Sequence, residues 1–212
     1  ELAFGGWLWD EPRYTHRAKQ IVLRRAREAF KTTAGDNPAY SHHRSPLGIH
    51  LTGHALAFTL DLLRPSLTDT EWADAVAHIR QYYLAYARQP FFDAARLHSP
   101  GFNKTVLGMC TIGLLGLVIA EELPDSELDA AVSEAIRSAY GYAREALDDD
   151  GGAYEGPGYG AVCIGAIIEL AEALRRHGLA ELSRYEPLFQ HTLWLASMLA
   201  PGGGTLSIGD ST

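Results

Sequence analysis

The chain has 212 residues, 47% of them hydrophobic and 21% charged, which suits one sizeable globular domain and excludes disordered or fibrous classes. A formal net charge of −8 argues against a general nucleic-acid binder, and two cysteines, Cys110 and Cys163, both inside apolar runs, offer no disulfide framework. The longest apolar run, residues 106–120, is broken by glycines and shorter than the roughly 20 residues that cross a bilayer, so a buried helix is expected there and no membrane contact.

Trp7 and Trp9 stand near the start, suited either to stacking on sugar faces or to pinning the N-terminal segment to the core. A first helix is expected over 13–33, after Pro12, with Ile21, Leu23, Ala26 and Phe30 among arginines and lysines. A second covers 46–63 and stops at Pro65. It carries His50 and His54 four residues apart, a spacing that can bind metal; Leu51-Thr52 replaces the acid of a zinc-protease motif and no third ligand is evident, so neither a metal nor another cofactor is expected. The third helix opens with the capping box Thr68-x-x-Glu71 and spaces Trp72, Val76, Ile79 and Tyr83 along one face. The fourth, 103–120, is apolar nearly all round, which implies burial on every side. The fifth begins at Asp125-Ser126 after Pro124 and aligns Leu128, Val132, Ala135, Ala139 and Leu147 on a stripe. The sixth, 157–177, is closed by Gly178, and the seventh covers about 182–199 with a kink expected at Pro187.

Strand signals are nearly absent, so the fold class is all-α. Apolar-all-round helices alternating with amphipathic ones predict an inner and an outer layer of stacked helical hairpins. Pro46, Pro100 and Pro157, at the starts of the inner helices, stand 54 and 57 residues apart, and hairpins of fixed period stack into solenoids or close into rings. Residues 1–212 thus read as one helical domain, part of a larger ring. Stacking would gather the inner-helix N-termini, with His50, Asn103 and Tyr159, at one rim, where unpaired N–H groups favour an anion. Acids are scarce nearby: none lies between Asn37 and Leu60, and only Asp93 between Ala75 and Ala120. Those stretches hold His42, His43, Arg44, Arg80, Arg88, Arg96, His98 and Lys104, which predicts a locally positive cleft in an acidic protein.

The segment from Asp148 to Gly160 packs acids, glycines and two tyrosines between helical stretches. Gly151, Gly152, Gly156 and Gly158 allow backbone conformations closed to other residues, and Pro157 can start a helix with Tyr159 in its first turn. That arrangement projects a phenol from a helix end; the plainer reading is a helix connection whose tyrosines cover the core.

Three motifs carry a family resemblance. Phe102-Asn103-Lys104-Thr-Val-Leu-Gly resembles the inner helix of heparinase II/III-type polysaccharide lyases, which opens with Asn or Asn-His. Gly151-Gly-Ala-Tyr154-Glu155-Gly-Pro-Gly-Tyr159 resembles that family's next motif, and the segment from Ala200 to Ser211 is similar to a third. The resemblance implies an (α/α) toroid that cleaves uronic-acid polysaccharides by β-elimination, in the periplasm or outside the cell, with an anionic polysaccharide or oligosaccharide as partner. Tyr159 matches the tyrosine that takes the C5 proton and Asn103 the residue that neutralises the uronate carboxylate. Lys104, His98, Glu155 and Tyr154 are candidates for substrate contact. A free phenol titrates at about 10, so a neighbouring cation such as Lys104 would help it act as a base. The family usually has His where Lys104 stands, and usually continues into further helices and a β-sandwich domain that adds a catalytic histidine; the chain is therefore expected to be an excerpt. Two other readings stay open: an (α/α) glycoside hydrolase using Glu155 with Asp148, Asp149 or Asp150, and a carbohydrate-binding helical scaffold without catalysis.

Overall fold

A computed structural model describes residues 1–28, 46–85, 101–182 and 185–198. Among them the chain forms eight α-helices: α1 Leu2–Trp9, α2 Pro12–Glu28, α3 Pro46–Leu63, α4 Asp69–Ile79, α5 Asn103–Val118, α6 Asp125–Glu145, α7 Gly156–Arg176 and α8 Glu186–Ser197. The described residues contain no strand, only an isolated antiparallel bridge between Leu147 and Ala153, so the all-α expectation holds.

The helix that is apolar all round is the centre of the molecule. Every residue from Thr105 to Leu117 is buried, and α5 packs against α3, α6 and α7. Small residues set the spacing. A Cβ at Gly53 of α3 would meet Thr111 and Leu115, and one at Gly113 would lie 2.6 Å from the Ala135 Cβ of α6 and 2.9 Å from Leu170 of α7. Residue numbers rise together in the contacts of α3 with α5 (His50 with Thr111, Gly53 with Leu115) and of α5 with α7 (Asn103 with Glu155, Gly113 with Leu170). They run oppositely between α5 and α6, where Gly113 faces Ala135 and Gly116 faces Ala131. Hence α3, α5 and α7 form a parallel inner row and α6 returns antiparallel behind it. α4 packs on α2 and runs antiparallel to α3, with Arg64 over Trp72 at one end and Tyr83 against Thr52 at the other. A π-helical turn, Arg80–Leu84, prolongs it and lets the Tyr83 hydroxyl donate to Thr52 Oγ1 at 3.2 Å. The inner helices begin at Pro46, Asn103 and Gly156, 57 and 53 residues apart.

The local signals act as expected at the start of α4 and the end of α7, whereas the cap expected at Asp125-Ser126 is not made: α6 starts behind Pro124 with no side-chain hydrogen bond to its first N–H groups. Thr68 and Glu71 close the capping box of α4, and buried Trp72, Val76, Ile79 and Tyr83 form its inner face. Gly178 takes φ +68° after α7, with Leu179 N–H donating to the Leu174 carbonyl, a glycine stop that frees α8 to turn back. Cys110 and Cys163 are buried free thiols; burial pushes Cys163 up to about 12 and Cys110 higher still, so both are protonated packing groups.

Three expectations need correction. Pro187 does not kink a helix: α8 starts at Glu186, so the proline lies in its first turn, where its missing N–H is not needed. An additional helix, α1, precedes the first expected one and docks through Gly5 and Gly6, the latter against Thr15. Trp7 and Trp9 are exposed and touch Phe4 and Tyr14, so they do not pin the segment to the core. By length and composition α7 could also cross a membrane, which the sequence reading did not foresee; half of its apolar window is packed inside the protein.

Candidate functional site

α5 starts at Asn103 behind an N-cap residue, Phe102, that has no side-chain oxygen to offer the first N–H groups. Glu155 supplies one from the next hairpin: its Oε2 accepts from the Asn103 N–H at 3.2 Å. Glu155 is itself the N-cap residue of α7, so its backbone opens one inner helix while its carboxylate caps the neighbouring one. Burial holds the Glu155 carboxyl above the usual carboxylate range, against the Asn103 N–H and the Lys104 charge, which both favour the anion.

The other residues of this corner differ in exposure. Asn103 is only 4% exposed, and its Oδ1 is sealed from solvent with no hydrogen-bond partner, an acceptor that a donor group would satisfy. Tyr159, in the first turn of α7, is 40% exposed, and Tyr154 is 73% exposed. Lys104 is exposed, its Nζ 5.4 Å from the centre of the Phe102 ring. His98 and the third motif, Ala200 to Ser211, lie outside the described residues.

The segment between α6 and α7 is a built loop. Asp148 Oδ1 accepts from Gly152 N–H at 2.5 Å and from Asp150 N–H at 3.1 Å, and Tyr154 N–H donates to the Ala146 carbonyl at 3.0 Å. Gly151 and Gly156 both sit at φ +85°, in the left-handed region. Asp148 thus organises its own loop, and Glu155 supports a helix start. Behind the loop stands His191 of α8, which the sequence reading did not single out. It is fully buried, and its Nδ1 lies 2.6 Å from the Gly151 carbonyl oxygen. Its partner is 40 residues away in sequence, and a lone histidine within a helix has no spacing signal, so pattern reading could not find it.

His50 does not reach the rim foreseen for it with Asn103 and Tyr159. His50 Nδ1 lies 3.0 Å from Thr111 Oγ1, eight residues along α5 from Asn103, a rise of about 12 Å. His54 Nε2 meets Glu169 Oε2 of α7 at 2.5 Å, linking α3 to α7 across the inner face. The two imidazoles are 5.0 Å apart, and no group of three metal-binding side chains assembles among the described residues. Further along, a cavity of about 580 Å³ opens between the C-terminal halves of α3, α5 and α7, with Phe58, Asp61, Trp72, Glu121, Ile168 and Glu172 in its lining. It lies at the opposite end of the inner row from Asn103 and Tyr159. No protein family, curated protein or solved structure matches the chain.

Proposed function

We propose that the chain is the helical part of a polysaccharide lyase of the heparinase II/III type, acting by β-elimination on a uronic-acid polymer, within an (α/α) toroid. The observation that carries this reading is the Glu155 bridge. It joins the helix start bearing Asn103 to the helix start bearing Tyr159, the pair of groups the chemistry requires. In the proposed reaction the Asn103 amide donates to the uronate carboxylate and stabilises the charge that builds there as C5 loses its proton. The Tyr159 oxygen, as phenolate, takes that proton while the C4–oxygen bond breaks. The same phenol returns the proton to the departing glycosidic oxygen, leaving a 4,5-unsaturated uronate and a new sugar hydroxyl. Lys104 supplies positive charge beside the site, and the exposed Tyr154 ring offers a face for a sugar.

The hydrolase reading needs two carboxyl groups free to face a glycosidic bond. Glu155 holds a helix start and Asp148 holds its loop, so the observed bonding favours elimination over hydrolysis. The test is ultraviolet absorbance of full-length protein with alginate, heparan, chondroitin and hyaluronan, beside Tyr159→Phe. Elimination predicts a rise on at least one polymer and a loss of about 10²–10⁴-fold in rate for the variant. New reducing ends without absorbance would replace elimination by hydrolysis. Binding without either signal would leave a carbohydrate scaffold.

A further inference from the structure

We infer that His191 is the positioning residue of this site: its Nδ1–H, donated to the Gly151 carbonyl, fixes the loop that sets Glu155 and Tyr159 at the start of α7. A carbonyl oxygen can only accept, so at 2.6 Å the proton must sit on Nδ1, and the tautomer follows from the geometry. The ring lies so close to the segment that its neighbours there must be glycine. A Cβ on Gly160, the residue after Tyr159, would stand 2.7 Å from His191 Cε1 and 2.9 Å from Nε2. A Cβ on Gly151 would stand 2.5 Å from the Gln190 carbonyl group and 2.6 Å from the His191 backbone nitrogen. Trp194 stacks on the imidazole at 5.4 Å between ring centres, 26° from parallel. The imidazole therefore touches both ends of the segment, Gly151 at the turn and Gly160 beside the tyrosine, and ties them to α8. Nε2 is buried beside the Gly160 backbone without a well-formed hydrogen bond, so the 2.6 Å Nδ1 bond is the stronger polar reason for a histidine here in place of an apolar ring of similar size.

The positioning itself is a statement about the fold, and its effect on turnover rests on the lyase reading. Two substitutions separate the bond from the bulk. In Asn the side-chain amide can take the place of Nδ1–H, whereas in Gln it reaches towards Nε2. His191→Asn and His191→Gln both lose the aromatic packing on Trp194, and only Asn can keep the donation to Gly151.

Nitrogen-15 NMR of the imidazole and amide hydrogen exchange are read on the full chain, with kcat and KM on whichever polymer the wild type cleaves. Expected are a wild-type proton on Nδ1 and exchange about tenfold faster at Gly152 and Gly156 in His191→Gln, with α5 beyond its Glu155-capped first turn unaffected and protection restored in His191→Asn. Expected too is a fall of about a hundredfold in kcat in His191→Gln, with KM moved much less, because the misplaced group is the tyrosine and not a binding surface. A wild-type proton on Nε2 would overturn the inference without any variant. So would equal loss of loop protection in both variants, since ring packing alone would then hold the loop, and so would wild-type exchange in both. The expected exchange pattern in a protein that cleaves no polymer would sustain the positioning role and sink the lyase reading alone.

Discussion

Gly151 and Gly165 stand 14 residues apart and respond oppositely to the same methyl group. Gly151 holds φ +85° against the backbone of Gln190, so Gly151→Ala adds strain and a clash, and a loss of about 1–3 kcal/mol is expected. Gly165 lies inside α7 with nothing within 4 Å of an added Cβ, so Gly165→Ala should gain about 0.5–1 kcal/mol through helix propensity. Urea denaturation of the two variants checks both signs at once; equal effects would contradict the loop geometry. At this scale the sequence was legible wherever a residue type has one physical use. The glycines of the Asp148–Gly160 segment, the small residues of α5 and the cap at Thr68 could all be read in that way. Asn103 could be named but its burial could not, because the carboxylate beside it arrives from another hairpin. His191 could not be named at all, since the bond that gives it a role exists only after α8 folds back on the loop.

Helix boundaries depend on a contest between neighbouring signals. Thr68 wins its contest through reciprocal bonds: its Oγ1 accepts from the Glu71 N–H and its own N–H donates to Glu71, which also pairs with Lys19 of α2 at 2.7 Å. Thr68→Ala should cost about 1 kcal/mol, and Thr68→Ser, which keeps the acceptor, a small part of that; thermal or urea unfolding distinguishes them. Pro187 shows the opposite case. A proline can break a helix or begin one, and the sequence alone did not say which. The outcome at α8 follows because Leu182 and Leu188 are drawn into the core, leaving the proline in the first turn between them. His50 was misplaced for a related reason. Pro46 fixes where α3 starts, but its height beside α5 is set by the Gly53 contact with Thr111 and Leu115, which no periodicity in either helix announces.

Across the whole molecule, buried histidines set the acid limit. Burial pushes His78 down to about 4 and lowers His50 and His191 as well. With folded values below the ordinary 6.5, the unfolded chain takes up these protons first. Their contribution is therefore whole above about pH 6.5 and is lost as pH falls towards about 4. Hydrogen bonds from Lys19 hold Glu71 at about 2, and those from Arg175 and then Arg176 do the same for Glu172, so these carboxylates add a later loss below their ordinary 4.5. Urea midpoints should be flat above neutrality and decline through the histidine window before Glu71 and Glu172 titrate; a midpoint unchanged at about pH 4.5 would refute the burial argument. The parallel inner row has a further consequence, for the order in which the molecule can be made. The central helix α5 rests on α3 before it and on α6 and α7 after it, so its contacts are with elements that adjoin it in the order of the hairpins. A ribosome releasing this chain delivers α2, α3 and α4 first, then α5 onto α3, then α6 and α7 onto α5, and each arrival finds its partner already standing. The pair His54–Glu169, spanning 115 residues, closes only when α7 arrives, and so marks the moment at which the row is set.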